Sequence, residues 1–507
     1  QDKHYKLLTT PEGFTKIKEA MQAVDIDMYA ECFILFDECE KLVQDVHYRD
    51  SIREPMNDFF RFRDKALISA TPIVPEKDNR FDGFTRVLIQ PDYAYQQKLK
   101  LITTNNVLAT LQEVIEAKRG TVCIFCNSID SIDSFYRLIP ELNNACTFCS
   151  EDGQYKLWKG NRRKKSIMIT ELERYNFFTS RFYSAVDIVC KNPPHVILIS
   201  DLYGATQSVI DPATEAIQII GRFRGGVNTV THIASIRPDL ECMSANEIDS
   251  WIEGAASIFN GWKKQLARTS NIGERTLLQE AIGENSYLPY LDANGKPDPF
   301  LIANLYEKEQ VKRLYTSADL LCNAYQQTDY FAFSHEERLM PVSDNERMAI
   351  QHRLAKKKRA QLIVHKLEEM EKMSRATDKK LQKRYQRMLG NLITTTTDRY
   401  LYDCFCRFGG DFIRESDYNE NKLRTALNVS SEHTIKQSGQ MKISIQRTFP
   451  IDSELSVQEA KSMLKQVYKK MGLNTERGIT TKELEQYAEV EKGWKHDNRT
   501  IKILKFK

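Results

Sequence analysis

A chain of 507 residues, 41% hydrophobic and 28% charged, has apolar content for several cored domains of ordinary size. Its 73 basic and 69 acidic residues leave a net charge of +4, too mild to mark a nucleic-acid partner, so that signal has to come from local charge. No apolar run reaches the ~18 residues of a membrane span, no secretory segment opens the chain, and an odd set of 11 scattered cysteines fits reduced thiols in the cytoplasm better than a disulfide framework.

In chain order, Thr9-Thr10-Pro11-Glu12-Gly13 precedes an amphipathic helical pattern over 13–23. The first strand candidate, 32–36, runs into Asp37-Glu38-Cys39-Glu40. A buried strand ending in adjacent acids places them at the carboxyl edge of a sheet, where open α/β folds bind ligands. Such acids can hold Mg²⁺ through water and polarise an attacking water; they can equally be a solvated strand end. A second apolar run, 66–69, leads into Ser69-Ala70-Thr71-Pro72, small hydroxyls able to bond an acid on a neighbouring strand. The stretch 71–83, with Pro72, Pro75 and Gly83, reads as a linker.

Strand candidates follow at 122–126, 145–149, 177–179, 196–200 and 229–234, with helical patterns at 105–118, 131–142 and 213–221 between them. Near-continuous apolar strands alternating with helices predict parallel sheets covered on both faces. Cys123-x-x-Cys126 and Cys146-x-x-Cys149 have the spacing of a zinc ribbon. In a strand, however, positions i and i+3 point to opposite faces, so buried sheet thiols are the expectation. Gln218-Ile219-Ile220-Gly221-Arg222-Phe223-Arg224 puts two arginines at a predicted helix end. From there they can reach phosphate oxygens, or simply favour the helix dipole.

In order and spacing these elements resemble superfamily 2 helicases, the group that includes DEAD- and DEAH-box proteins, over roughly residues 1–235. Residues 37–40, DECE, resemble motif II, and 69–71, SAT, resemble motif III. Residues 125–128 stand where motif IV follows its strand; 178–188, FTSRFYSAVDI, resemble motif V; 218–224 resemble motif VI; and 9–13, TTPEG, resemble motif Ib.

The resemblance implies an α/β fold of two RecA-like parallel-sheet domains, the first incomplete, using ATP and Mg²⁺. It implies that Asp37 holds Mg²⁺ and Glu38 is the catalytic base, and that Ser69 and Thr71 couple hydrolysis to domain movement. Gln218, Gly221, Arg222 and Arg224 would contact ATP, one arginine as the finger, with Asp187 facing the nucleotide. Thr10 and Thr179 would hold the nucleic-acid backbone.

Four departures stand out. No G-x-x-x-x-G-K-[ST] occurs, so the phosphate loop is expected upstream of residue 1 and hydrolysis by this chain alone is expected to be poor. The box ends in Glu40, Ala185 replaces the usual Gly, and G-R-x-R replaces G-R-x-x-R, a form similar to herpesvirus-type origin-binding helicases.

Beyond about residue 240 helical periods dominate. A long pattern over 345–389 contains 13 Lys or Arg against four Asp or Glu between Arg353 and Arg387, with an apolar stripe that leaves a basic face, either for a phosphate backbone or simply solvated. In the tail, capping boxes Ser456/Glu459 and Thr480/Glu483 predict helices to about Met471 and Val490, followed by a strand over 500–506. That order resembles part of a winged helix, although acids on the second helix argue against direct DNA contact.

The expected division is 1–78 and 88–238 as the RecA-like domains, 240–400 as a helical accessory region, and 401–507 as an α+β domain able to bind nucleic acid. The expected function is an ATP-dependent helicase or translocase on nucleic acid, DNA before RNA, serving replication of a phage, plasmid or other mobile element. The alternatives are the motor subunit of a restriction system and an ATPase-inactive module that binds nucleic acid or a partner.

Overall fold

The structure, a computed structural model, describes residues 6–93, 95–158, 164–169, 171–184, 186–292, 294–348, 355–374, 398–473, 475, 478–495 and 498–507. The chain divides into two compact units, residues 1–348 and 349–507. The fold is mixed α/β, and among the described residues no helix is long and apolar enough to cross a membrane.

The first unit holds two parallel sheets. In the smaller, β1 (Phe33–Asp37) pairs with β2 (Asp64–Ile68) in a register that sets Asp37 beside Ile68, so both strands deliver their following residues to one edge. Ile34, Phe36 and Leu67 pack against a core of Cys39, Leu42, Val43 and Phe59, to which Phe300 and Leu301 of the helix Pro299–Leu314 contribute. Alternation sends Phe33 and Leu35 to the other face, where they are 62% and 52% exposed.

The larger sheet has eight parallel strands in the order β10-β3-β9-β8-β4-β7-β5-β6. They are β3 (Gln97–Thr104), β4 (Val122–Phe125), β5 (Cys146–Phe148), β6 (Lys164–Ser166), β7 (Tyr175–Phe178), β8 (His195–Ser200), β9 (Thr229–Ser235) and β10 (Phe331–Arg338). Both faces are covered, which is why the central strands read as unbroken apolar runs. Leu198 and Phe178 face a core shared with the helices Glu215–Gly221 and Ala318–Gln326, while Ile197 and Phe177 face a second core built with Val107–Glu116 and Ile129–Leu138. Cys123 and Cys146 belong to the first of these cores and Cys126 and Cys149 to the second, so each Cys-x-x-Cys pair is split across the sheet.

The strands expected between 122 and 234 fall within two residues of observed ones, but β3, β6 and β10 were not anticipated. In β3, Lys98 and Lys100 interrupt the apolar run on its exposed positions. The FAFSHEER of β10 is an edge strand, alternately exposed, with no buried-run signature. This strand also corrects the reading of 240–400 as a helical accessory region. The segment is helical through Ala318–Gln326, then returns to the sheet and pairs in parallel with β3. It is tied down beyond the strand: Asn106 Nδ2 donates to the Val342 carbonyl (2.7 Å), and the Val107 N–H donates to Asp344 Oδ2 (2.7 Å).

In the second unit the helix Lys356–Ser374 buries Ala360, Ile363, Val364, Leu367 and Met370; of the expected stripe Leu354, Leu362, Ile363, Leu367, Met370 and Met373, three are thus buried, Leu362 is half-buried, and the side chains of Leu354 and Met373 lie outside the described residues. Part of its basic character is used internally: Lys356 pairs with Glu420, Lys357 with Asp417 (2.7 Å) and Arg359 with Asp398 (2.6 Å). The remaining basic run, 375–387, lies outside the described residues.

The tail contains the helices Gly439–Thr448 and Val457–Lys470, and a three-stranded antiparallel sheet in the order β11-β13-β12, from β11 (Glu454–Ser456), β12 (Ala488–Lys495) and β13 (Asn498–Phe506). The expected second helix to Val490 is not formed. Its capping box is present at Thr480 and Glu483, but it opens a 3-10 segment, Thr481–Gln486, after which the chain extends into β12. Alternation explains the change: Ala488 is buried and Val490 half-buried, between exposed Glu489 and Glu491, a period-2 pattern in which Ala488 pairs with Phe506 and Val490 with Ile503 of β13.

Candidate active site at the junction of the two sheets

The site starts from the end of β1. Asp37 is its last residue, and Glu38 follows in the left-handed region at φ 54°, its N–H donating to Asp37 Oδ1 (2.9 Å). The next N–H, of Cys39, donates to the Ile68 carbonyl (3.2 Å), so the turn closes back onto β2. A left-handed non-glycine residue costs about 1–2 kcal/mol, and such strain gathers where function over-determines the backbone.

The opposing wall comes from the helix Glu215–Gly221, whose last turn carries Gln218 and Gly221 and whose C-cap is Arg222. Arg222 is nearly buried; its Nε donates to the Gln218 carbonyl and its Nη2 to Gln218 Oε1, both at 3.1 Å. That fixes the guanidinium against its own helix and leaves Nη1 3.9 Å from Glu38 Oε1. Gln218 Nε2 donates across the junction to Thr71 Oγ1 (3.0 Å) and Glu40 Oε1 (3.3 Å). Ser69 Oγ donates to Glu40 Oε2 (2.5 Å), and the Thr71 N–H donates to Ser69 Oγ (2.9 Å).

Glu38, Glu40, Ser69, Thr71, Gln218 and Arg222 thus form one polar ring joining the small sheet to the large one. Glu40, Thr71 and Gln218 are buried. A buried amide or carboxylate left without a partner costs about 1–3 kcal/mol or more, so this junction tolerates only the register that satisfies them. Burial pushes the Glu40 carboxyl above its usual range, opposed by the Ser69 hydrogen bond.

Of the residues singled out in the sequence, Glu38, Ser69, Thr71, Gln218 and Arg222 stand in the ring, while Asp37 lies beside it and touches it only through the Glu38 N–H. Arg224 takes another course: its Nε bonds Asp187 Oδ1 (3.0 Å) as an exposed pair. The same loop is tied to the site by the Ile188 N–H, which donates to the Arg222 carbonyl (2.9 Å). Ala185, within that loop, lies outside the described residues.

The two threonines lie apart from the ring's hydrogen bonds. Thr10 is exposed ahead of the 3-10 turn Pro11–Gly13, where Glu12, bonded to Arg49 and Ser51, is pulled down to about 2, chiefly by Arg49. Thr179 is buried, and its hydroxyl donates to the Phe148 carbonyl (3.4 Å).

Sequence reasoning missed two features. Glu40 looked like a departure from a pattern, yet it is the hub of the ring. The pairing of an acid after β1 with Ser69 after the neighbouring strand was the available signal. The second is a further cross-junction tie: Gln44 Nε2 donates to Thr214 Oγ1 (3.0 Å) and Glu307 Oε1 (3.4 Å). It lies over a nest of acids, Asp211 buried and Glu215 and Glu307 half-buried. Burial pushes Glu215 up to about 8 and Glu307 up to about 7, and raises Asp211 as well. With Glu307 some 260 residues distant in sequence, no local pattern could reveal this cluster.

Chemically, Asp37 offers an exposed hard-oxygen ligand suited to a hydrated Mg²⁺, Glu38 a carboxylate, and Arg222 a fixed guanidinium suited to a phosphate. A direct Glu38–Arg222 pair leaves no room for a phosphoryl group between them, so such a ligand has to separate the pair on entering. The neighbouring cavity of about 1510 Å³ is lined by Thr71, Ile73, Thr214, Ile217, Tyr306 and Glu307 but by neither Glu38 nor Arg222, and so is not the phosphate position. Among the described residues no group of three or more His, Cys, Asp or Glu is placed to hold a metal by itself. Compared with known proteins, the chain matches no family model and no curated relative.

Proposed function

We propose that this chain is the motor part of an ATP-dependent nucleic-acid helicase or translocase of the superfamily 2 type, with RecA-like domains, acting on DNA. The observation that carries the reading is the ring: an acid pair after one strand, hydroxyls after its neighbour, and a glutamine and arginine from another sheet's helix, all meeting at one junction. Mg²⁺, when bound with the nucleotide, supplies charge neutralisation at the phosphates. In this reading Asp37 orients the hydrated ion, Glu38 accepts a proton from the attacking water, and Arg222 offsets the charge that builds on the transferred phosphoryl group. Because nucleotide entry has to part Glu38 from Arg222, and Gln218 bonds both Arg222 and the Thr71–Glu40 side, occupancy is transmitted to the junction between the sheets. Arg224 and Asp187 form the outer margin, available to a phosphate once their mutual pair opens.

The test measures Mg·ATP binding and ATP turnover with and without single-stranded DNA, in the parent and in Glu38→Gln. The reading expects Glu38→Gln to abolish any DNA-stimulated turnover while binding nucleotide at least as well, since it releases Arg222. Turnover that survives the substitution would overturn it. The absence of G-x-x-x-x-G-K-[ST] from the chain favours a second reading, a nucleic-acid or partner-binding module without hydrolysis. Absence of both nucleotide binding and turnover from a longer chain that carries a phosphate loop decides for that module.

A further inference from the structure

The tail contains a charged surface that the ring does not involve. The helix Val457–Lys470 buries Ala460, Leu464, Val467 and Tyr468 in the tail's own core, beside Ile501 and Ile503 of β13. Its opposite side consists of Gln458, Lys461, Ser462, Lys465, Gln466 and Lys469, all exposed. The helix's one acid, Glu459, is occupied at the capping box, accepting from the Ser456 N–H (3.0 Å) and hydroxyl (2.8 Å). None of the three lysines, nor exposed Lys470 at the helix end, has an ion-pair partner among the described residues, whereas Lys436, Lys492, Lys495 and Lys502 elsewhere in the tail are paired with Glu483, Glu485, Glu454 and Asp452. At 1.5 Å rise per residue the lysines stand about 6 Å apart and span about 12 Å.

We infer that this face of the helix Val457–Lys470 is a docking surface for the phosphate backbone of duplex DNA. Unpaired lysines at regular spacing, interleaved with glutamine and serine, match a rigid polyanion and its phosphate oxygens. An anionic membrane fits less well, because an interfacial helix needs an apolar face to insert and here that face is spent on the core. A protein partner fits less well because the face lacks the apolar centre of an interface. Single strands are held on aromatic platforms, and the face has no aromatic. The element implicated is therefore the first helix of the tail's pair. The acids of the 3-10 segment that replaced the expected second helix are already paired: Glu483, half-buried, bonds Lys436 and Tyr468, and Glu485 pairs with Lys492 at the surface. The choice of DNA over RNA rests on the proposed translocase reading; the lysine face does not, and its test reads no ATP turnover.

The test is anisotropy of a labelled DNA duplex with the full chain across a salt series. In the triple variant Lys461→Gln, Lys465→Gln, Lys469→Gln, the slope of log affinity against log salt falls by about 2–3, since each phosphate contact contributes about 0.9, and binding at low salt weakens at least about 10-fold. The corresponding triple Arg variant, which keeps the charges, retains the parent slope. Lys356→Gln with Lys357→Gln, which removes cations already paired, leaves it unchanged. An unchanged slope in the triple Gln variant overturns the assignment. So does a parent that binds no duplex, or that prefers duplex RNA or vesicles containing phosphatidylserine.

Discussion

The two sheets of the first unit are built from similar apolar strands but are used differently. The eight-stranded sheet is covered on both faces, and residues such as Phe178 and Ile197 are fully buried. The two-stranded sheet is covered on one face only, leaves Phe33 and Leu35 in the open, and ends in a left-handed glutamate. The first is a packed platform. The second holds the acids of the site in strained geometry and is held to the platform by polar contacts at Gln218 and Gln44. The packed core and the candidate site are thus separated, and the polar junction is where they meet.

Substitutions should divide along the same line. Phe178→Ala in the large sheet is expected to destabilise by about 3–5 kcal/mol in a denaturant titration, while Leu35→Ala in the small one changes stability by less than about 1 kcal/mol. A large loss at Leu35 would erase the contrast.

The junction itself comes next. Gln218→Ala removes one of the two side-chain partners of buried Glu40, leaving it Ser69, and removes the Thr71 and Arg222 contacts, so a loss of about 1–3 kcal/mol is expected. Gln218→Glu, which sets a carboxylate against Glu40, should cost at least as much.

The acids beside Gln44 predict a pH dependence. Glu215 and Glu307 are pushed up to about 8 and about 7 by burial first and by neighbouring acids second, with Lys41 opposing at both and Lys308 at Glu307. Such carboxyls bind their protons more tightly folded than unfolded. Their contribution is complete below the ordinary carboxyl range near 4.5 and is lost as pH rises through about 7 and then about 8. The thermal midpoint of the first unit should fall by several degrees between acid and pH above 8, and Glu215→Gln with Glu307→Gln should flatten that fall. A midpoint that rises over this interval would remove the cluster from the account. The smallest effect is expected at Glu38→Gly, which relieves the left-handed strain and gains about 1 kcal/mol or less, since the Arg222 pair is lost with it.

Legibility in the sequence followed burial. The central strands were readable because burial on both faces leaves no polar interruption. The residues proposed to carry chemistry stand out in the sequence because each follows directly on an apolar strand or helix, as Asp37, Ser69 and Arg222 do. The edges were not: β3 carries Lys98 and Lys100 where it meets solvent, and β10 alternates because one side of each residue pair is exposed. The tail's capping box at Thr480 is formed, but it opens only a 3-10 segment and not the expected helix, because the local signal carries no information about length and pairing with β13 claimed the residues that followed. Glu40 was visible yet misjudged, since its role depends on Ser69 and Gln218 converging on it from two other segments.

The central claim is that Glu38 and Arg222 serve one triphosphate site. The most direct measurement is the affinity of Mg·ATP for the parent, for Arg222→Ala and for Arg237→Ala, an arginine outside the ring. The account predicts a loss of at least about 10-fold, or roughly 1.4 kcal/mol, in Arg222→Ala alone; equal affinity in all three would contradict it.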